Sequence, residues 1–469
     1  MRKLVPEEIR LAVRGRWRWP ARTVTVEGVC TDSRRVRGGS LFVALKGDSF
    51  DGHDFLAAAA AGGCVAAVVN LKSPLEQDLL KRFAGGVIGV ADTTEALGEL
   101  ASHCRGQMAA TVVAVTGSNG KTTVKRMIDH ILSRRLRGRA SPGSYNNAVG
   151  VPLTLFEVAP DDDYVICELG SNAPGEIASL ARIARPNVAV ITSVGPAHLE
   201  KLIDLEHVAI EKASLLGALV PNGAAVVWAD SPELARALRA YGGVSLIRFG
   251  AAGDAHLRLT AYEPAPGGCR LEVNGRTRTA LPAPGRHNAL NALAAMAVAQ
   301  RFGFGVDEAA AALADFAGAG MRLEPIHAGS VTIINDAYNA NPASLAAAAE
   351  SLASFAGRRK VLVAGDMLEL GPDSERLHFQ AGRDLARTPL DVVVGVGELG
   401  GLLAAGAAEA GTVRTERIAS VEAARGALPA LLAGGDVVLL KGSRGMAMER
   451  LVEPIRAAFD GAAVEERTC

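Results

Sequence analysis

A chain of 469 residues exceeds what one hydrophobic core supports, so its length predicts about two to four domains. Its 50 lysines and arginines balance 50 aspartates and glutamates, which excludes a global field favouring nucleic acid or an acidic surface. Apolar residues make up 49% of the chain and aromatics 4%, a composition suited to thin alanine-rich helices layered on buried strands. No stretch approaches the run of about 20 apolar residues that spans a bilayer, and the opening segment from Met1 to Trp17 carries charges inside what would be a signal core. A cytoplasmic protein is expected. The cysteines at 30, 64, 104, 167, 269 and 469 form no CxxC pair, so neither a disulfide framework nor a zinc site is indicated.

Residues 1–106 form the first expected domain, small and α/β. Thr31-Asp32-Ser33-Arg34-Arg35 precede a strand from Leu41 to Leu45, and Lys46-Gly47 lead into Phe50-Asp51-Gly52-His53-Asp54-Phe55. Small polar residues and an arginine ahead of a strand suit either a small-molecule site at Ser33 and Arg34 or a plain surface turn. A helix from Leu56 to Ala61 and a strand from Val65 to Val69 follow, and His53 reads as structural or solvated.

The second expected domain, 107–319, opens with the most informative stretch. The β-branched run Val112, Val113, Ala114, Val115 breaks at Thr116-Gly117-Ser118-Asn119-Gly120. Beyond it, Val124, Met127, Ile128, Ile131 and Leu132 recur at the spacing of one helix face. A strand, a glycine loop and a helix in direct succession aim backbone N–H groups and a positive helix end at one point, which suits a polyphosphate. Lys121 adds a mobile cation, and the Thr122 hydroxyl can ligate an accompanying Mg²⁺. Val115 stands where the full GxxxxGK[ST] pattern has its first glycine, so the loop is a shorter variant.

Asn146 and Asn147, followed by Gly150 and Pro152, read either as a turn or as cleft amides. A strand from Tyr164 to Cys167 ends at Glu168, a place for a metal-linked acid or for a loop cap. A further strand from Val188 to Thr192 leads to His198, which suits metal ligation or helix capping equally. Lys212 lies in a helix-like stretch where a solvated lysine is the default. Pro284-Gly285 introduces a helix from Arg286 to Arg301, on which Asn288 fits an adenine or phosphate contact or a helix-end cap.

The third expected domain, 320–469, alternates strands (Val331 to Asn335, Lys360 to Ala364, Asp391 to Val396, Asp436 to Leu440) with helical stretches. That rhythm predicts a Rossmann-like, doubly wound parallel sheet. The central sheet should be of the P-loop type and mostly parallel. In the third domain, Asp336 to Pro342, Gly365 to Gly371 and Lys441 to Gly445 bring polar or glycine-rich sequence to one sheet edge.

The motifs T-G-S-N-G-K-T-T (116–123), N-N-A-V-G-V-P (146–152), E-L-G (168–170), G-P-A-H-L-E (195–200), R-H-N-A-L-N (286–291), M-R (321–322) and D-A-Y-N-A-N-P (336–342) occur in this order. From Asp32 to Met448 the chain resembles the Mur ligases, ATP-dependent amide ligases that build the peptide of bacterial peptidoglycan. D-A-Y-N-A-N-P, V-A-G-D-M-L-E-L-G and K-G-S-R resemble the members that join D-Ala-D-Ala to UDP-N-acetylmuramoyl-tripeptide. The D-N-P-R of the diaminopimelate-adding relatives is absent, and folylpolyglutamate synthases lack a T-D-S-R, L-F-V-A-L-K-G domain.

The resemblance implies roles residue by residue. Gly117, Ser118, Asn119, Gly120, Lys121, Thr122 and Thr123 hold the ATP phosphates. Thr122 and Glu168 take one Mg²⁺ and His198 a second, while Lys212 is carbamylated by CO₂ into a carboxylate-like metal ligand. Lys121, Glu168, His198 and Lys212 are thereby the catalytic set. Asn288, Arg322 and Asp336 bind the nucleotide, with Asn339 and Asn341 beside its base or ribose. Ser33, Arg34, Asn146 and Asn147 face the UDP-sugar peptide, and Ser443 and Arg444 the dipeptide. A monomer is expected, whose third domain closes over the second. A nucleotide-driven switch or ATPase remains the alternative that the phosphate loop alone allows.

Overall fold

Strand-forming runs gather into three successive sheets. The computed structural model describes residues 2–196, 199–318, 320–411 and 413–460. The first sheet holds β1 (Arg16–Trp19), β2 (Gly28–Cys30), β3 (Ser40–Val43), β4 (Ala66–Asn70) and β5 (Val87–Val90) in the order β1-β5-β4-β3-β2, with β1 antiparallel to β5 and the others parallel.

The second sheet comprises β6 (Thr111–Thr116), β7 (Gly138–Ala140), β8 (Tyr164–Glu168), β9 (Val188–Ile191), β10 (Ala224–Trp228), β11 (Ser245–Gly250), β12 (Leu257–Ala265), β13 (Gly268–Val273) and β14 (Thr277–Leu281). Their order is β14-β13-β12-β11-β10-β9-β6-β8-β7, parallel from β7 to β12. β13 is antiparallel to both β12 and β14. Asn274 and Gly275, at φ 57° and 67°, make the tight turn between β13 and β14, a conformation that this dipeptide adopts readily.

Both faces of this sheet are covered, which is why β6 and β8 are apolar along nearly their whole length. Val113 and Val115 pack under helices Lys121–Leu132 and Arg286–Gln300. Val112 and Ala114 pack under helices Thr93–Arg105, Gly150–Phe156 and Glu176–Ala184. The same core takes in Leu41 and Val43 of the first sheet, so helix Thr93–Arg105 joins the two layers.

The third sheet holds β15 (Glu324–Ala328), β16 (Val331–Asp336), β17 (Lys360–Gly365), β18 (Val392–Val396), β19 (Arg414–Ile418) and β20 (Val437–Lys441), in the order β15-β16-β20-β17-β18-β19. All neighbours are parallel except β15 with β16.

Register decides what shares an edge. Val115 pairs with Glu168 and Thr116 with Ile191, so the phosphate loop and the Glu168 carboxylate leave the sheet side by side. In the third sheet Asp336 pairs with Lys441. Glu168, Asp336 and Lys441 are each the last residue of their strand; Glu168 and Lys441 directly follow the apolar run, and Asp336 follows it after Asn335.

Candidate active site

β6 hands the chain to a loop that requires glycine at two points. Gly117 (φ 147°) and Gly120 (φ 81°) would, with a Cβ, lie 2.0 Å from Thr192 Oγ1 and 2.4 Å from Asn291 Oδ1. The loop is stitched to the end of β9: Ser118 N donates to the Ser193 carbonyl at 3.0 Å, Asn119 N to Ser193 Oγ at 2.9 Å, and Ser118 Oγ to the Gly195 carbonyl at 2.9 Å. Lys121 Nζ folds back to donate to the Gly117 carbonyl at 2.8 Å and the Ser118 carbonyl at 3.4 Å. Burial pushes its pKa down against the pull of Glu168, a cost that polyphosphate oxygens would relieve.

Glu168 is 1% exposed and fully partnered. Its Oε2 accepts from Thr122 Oγ1 at 2.9 Å and lies 3.0 Å from Lys125 Nζ, while Oε1 accepts from Asn146 Nδ2 at 3.1 Å. Burial raises the carboxyl pKa, but Lys125, Lys121 and the Thr122 hydrogen bond together outweigh it, and the group is held below the ordinary carboxylate range. The Thr122 hydroxyl also accepts from Arg322 Nη2 at 3.0 Å. The Arg322 guanidinium stacks 4.1 Å over the Tyr338 ring. Met321 and Leu323, on either side of Arg322, both adopt left-handed φ (55° and 51°), backbone strain that aims the arginine at the phosphate loop.

Lys212 corrects the expectation drawn from pattern alone. It is 2% exposed, not solvated, and its Nζ donates to Ser171 Oγ at 2.7 Å. Burial, reinforced by Lys121 and opposed by Glu211 and Glu176, brings its pKa down to about 7. Helix Leu205–Ala213 is fixed in place by Glu211, whose carboxylate accepts from Gly175 N at 2.7 Å and Ile177 N at 2.8 Å at the start of helix Glu176–Ala184. His198 lies outside the described residues. Among those described, no three His, Cys, Asp or Glu side chains cluster as a metal cage. Glu168 and Thr122 offer a carboxylate and a hydroxyl oxygen, donors of the kind that Mg²⁺ takes, an ion that uses few protein ligands and fills its shell with water and phosphate oxygens.

On the third sheet, Asp336 accepts from Lys441 Nζ at 2.6 Å and from Leu323 N at 3.2 Å, and Lys441 Nζ also donates to the Asn339 carbonyl at 2.9 Å. Asn341 caps helix Pro342–Ser354 through Ser344 N at 2.8 Å and donates to Asn119 Oδ1 of the phosphate loop at 3.0 Å. Asn288 is buried, donating to the Pro284 carbonyl at 2.7 Å and accepting from Asn291 Nδ2 at 3.2 Å. Beside it, burial pushes the His287 pKa down to about 4, with Lys441 adding to that and Asp336 opposing it.

These groups surround one cleft of about 1160 Å³ between the second and third sheets. From the second sheet it is lined by Ser118, Asn119, Gly120, Lys121, Thr123, Asn146, Asn147, Glu168 and Asn288. Arg322, Asp336, Asn339, Asn341, Ser443 and Arg444 line it from the third. Gly117, Thr122 and Lys212 stand behind this wall. Ser443 Oγ accepts from Leu368 N at 2.8 Å, and Arg444 pairs with Glu449 at 2.8 Å. Ser33 and Arg34 are not brought to the cleft: Arg34 is exposed and its guanidinium turns back onto Asp32 at 2.8 Å. Lys125, His287 and Asn291 escaped the sequence reading. A signal existed for Lys125, a charge set inside the apolar stripe of Val124, Met127 and Ile128.

Comparison with known proteins gives matches along the same chain. Models described as "Mur ligase family, catalytic domain", "Mur ligase middle domain" and "Mur ligase, glutamate ligase domain" match residues 25–105, 115–299 and 321–444. A UDP-N-acetylmuramoyl-tripeptide–D-alanyl-D-alanine ligase of Escherichia coli is 38% identical over 442 residues, 92% of this chain and 94% of the relative. The chain belongs to the Mur ligase family. The Bacillus subtilis enzyme of the same name is 35% identical over 439 residues, 92% and 93% of the two chains. A crystal structure of MurF from Acinetobacter baumannii superposes with a TM-score of 0.88 at 33% identity, covering 97% of this chain and 99% of that one. MurF from Thermotoga maritima in complex with ADP gives 0.81 at 28%, covering 93% and 98%. This Mur ligase therefore has the three-sheet α/β fold of those proteins.

Proposed function

We propose that this Mur ligase joins D-Ala-D-Ala to UDP-N-acetylmuramoyl-tripeptide, with ATP converted to ADP and phosphate, in peptidoglycan precursor synthesis. The observation that carries the reading is the Thr122 hydroxyl held between Glu168 and Arg322, with relatives of this activity aligned along the whole chain. No described helix is long and apolar enough to cross a membrane. ATP and a nucleotide sugar as co-substrates place the reaction in the cytoplasm.

A carboxylate is a poor acyl donor at neutral pH, so the tripeptide carboxylate first takes the γ-phosphoryl group and becomes an acyl phosphate. The dipeptide amine then attacks the acyl carbon, and phosphate leaves from the tetrahedral intermediate. Two anions must meet in the first step, which calls for positive charge around the transferring group. Lys121 supplies one such charge when it exchanges its loop carbonyls for phosphate oxygens. Arg322, stacked on Tyr338 and tied to Thr122, supplies another with little left to organise. Glu168 and Thr122 would hold Mg²⁺, which when bound neutralises charge on the moving phosphoryl group. His198 and a carbamylated Lys212 would hold a second ion. A lysine of pKa about 7 keeps much of its amine neutral near neutrality, as addition to CO₂ requires.

Residues 1–106 serve the UDP-sugar peptide in this reading, 107–319 the ATP, and 320–469 the closure over ATP and the dipeptide. Acyl phosphates hydrolyse, so the third domain must shut water out. Arg322 on Thr122 and Asn341 on Asn119 already bridge the two layers. The test is an incubation with ATP, Mg²⁺, D-Ala-D-Ala and UDP-N-acetylmuramoyl-tripeptides ending in lysine or diaminopimelate. Phosphate release that needs both peptide and dipeptide, with the coupled product seen by mass spectrometry, is expected. Phosphate release with neither present would make the chain an ATPase instead.

A further inference from the structure

Lys125 follows Lys121 by one turn of helix Lys121–Leu132, yet the two ammonium groups have different surroundings. Lys121 reaches carbonyls of its own loop and faces the cleft. Lys125 is 2% exposed and does not line the cleft. Its Nζ lies 3.0 Å from Glu168 Oε2 and donates to Ser141 Oγ at 3.1 Å and to the Gly143 carbonyl at 2.5 Å. An ammonium has three protons, and here each finds an acceptor.

Two of those acceptors belong to the segment that follows β7, and that segment delivers Asn146 and Asn147 to the cleft. Asn146 donates to Glu168 at 3.1 Å, and its carbonyl accepts from Gly170 N at 2.8 Å. Asn147 Oδ1 accepts from Gly150 N at 2.9 Å and so starts helix Gly150–Phe156. One buried charge thus pins the segment to both the nucleotide helix and the end of β8. The phosphate loop has separate support, from Ser193, Gly195 and Asn341.

We propose that Lys125 is a positioning residue that sets the 141–147 segment for the nucleotide-sugar peptide, while Lys121 serves ATP. The inference rests on the ligase reading above. Its consequence is a separation of the two binding functions: loss of Lys125 frees the asparagine segment and leaves the phosphate loop stitched.

Calorimetric titration of the full chain with UDP-N-acetylmuramoyl-tripeptide, and separately with Mg²⁺-free ADP, tests this. Lys125→Met is expected to weaken peptide binding about tenfold or more, while ADP affinity stays within about threefold. Ser141→Ala keeps the ammonium–carboxylate pair and removes one tie to the segment. It should weaken the peptide about threefold and leave ADP unchanged, and it decides the matter should Lys125→Met fail to fold. Equal loss of both ligands, or unchanged peptide binding, would overturn the role of Lys125 alone. A wild-type chain that binds ADP and no peptide would overturn the ligase reading and this inference with it.

Discussion

Arg322 donates to the Thr122 hydroxyl at 3.0 Å across 200 positions of sequence, joining the first turn of the third sheet's domain to the phosphate-loop helix. The guanidinium is fixed on its other side by Tyr338. Lysine cannot reproduce both the planar stack and the directed N–H. Arg322→Lys should therefore lower kcat about a hundredfold or more while leaving the melting temperature within a few degrees. Steady-state kinetics and a thermal melt check this.

Replacing Lys212 by Ala should nearly abolish turnover, with partial recovery by added small carboxylates. Its pKa of about 7 also fixes a direction: protonation removes the nucleophilic amine as pH falls below about 7. A ¹³C carbamate signal from the wild-type chain in labelled bicarbonate should shrink on that side and be absent in Lys212→Ala. Full activity in the variant would make the lysine a bystander.

Much of this site was legible because strand ends announce themselves. An apolar run that stops at Glu168, Lys441 or the Asn335-Asp336 pair marks the edge where ligands collect, and parallel register brings those ends level. The burial of Lys212 was not legible, since helix Leu205–Ala213 carries polar residues around most of its circumference and gives no clean inward face. The capping of helix Glu176–Ala184 by Glu211, together with the buried Val208, Ala209 and Ala213, turns that side inward. For Lys125 the place in the apolar stripe was readable but its partners were not: its three acceptors come from segments 16, 18 and 43 positions away, and pairing at that range leaves no local pattern. The β12 to β14 extension carried a readable cue in Asn274-Gly275.

Lys441 and Asp336 form a 2.6 Å ion pair with little water around it. Lys441→Met would leave a largely buried carboxylate uncompensated and should cost about 3 kcal/mol. Lys441→Met with Asp336→Asn should cost less than the sum of the single changes. Urea unfolding of the four chains measures the coupling.

His287 gives a pH dependence of stability with a defined sign. Its folded pKa, pushed down to about 4 by burial, lies below the ordinary 6.5. The unfolded chain therefore binds more protons between those values, and stability present above pH 6.5 is lost as pH falls through 4. His287→Gln should flatten that part of the profile in melts taken across the window. An unchanged slope would assign the acid sensitivity to other groups.

Phosphoryl transfer to a peptide carboxylate is read directly by oxygen labelling. UDP-N-acetylmuramoyl-tripeptide carrying ¹⁸O in its terminal carboxylate, incubated with the chain, ATP, Mg²⁺ and D-Ala-D-Ala, should yield inorganic phosphate bearing one ¹⁸O atom. Released phosphate with no ¹⁸O would contradict the account, because the γ-phosphoryl group would then have gone to water.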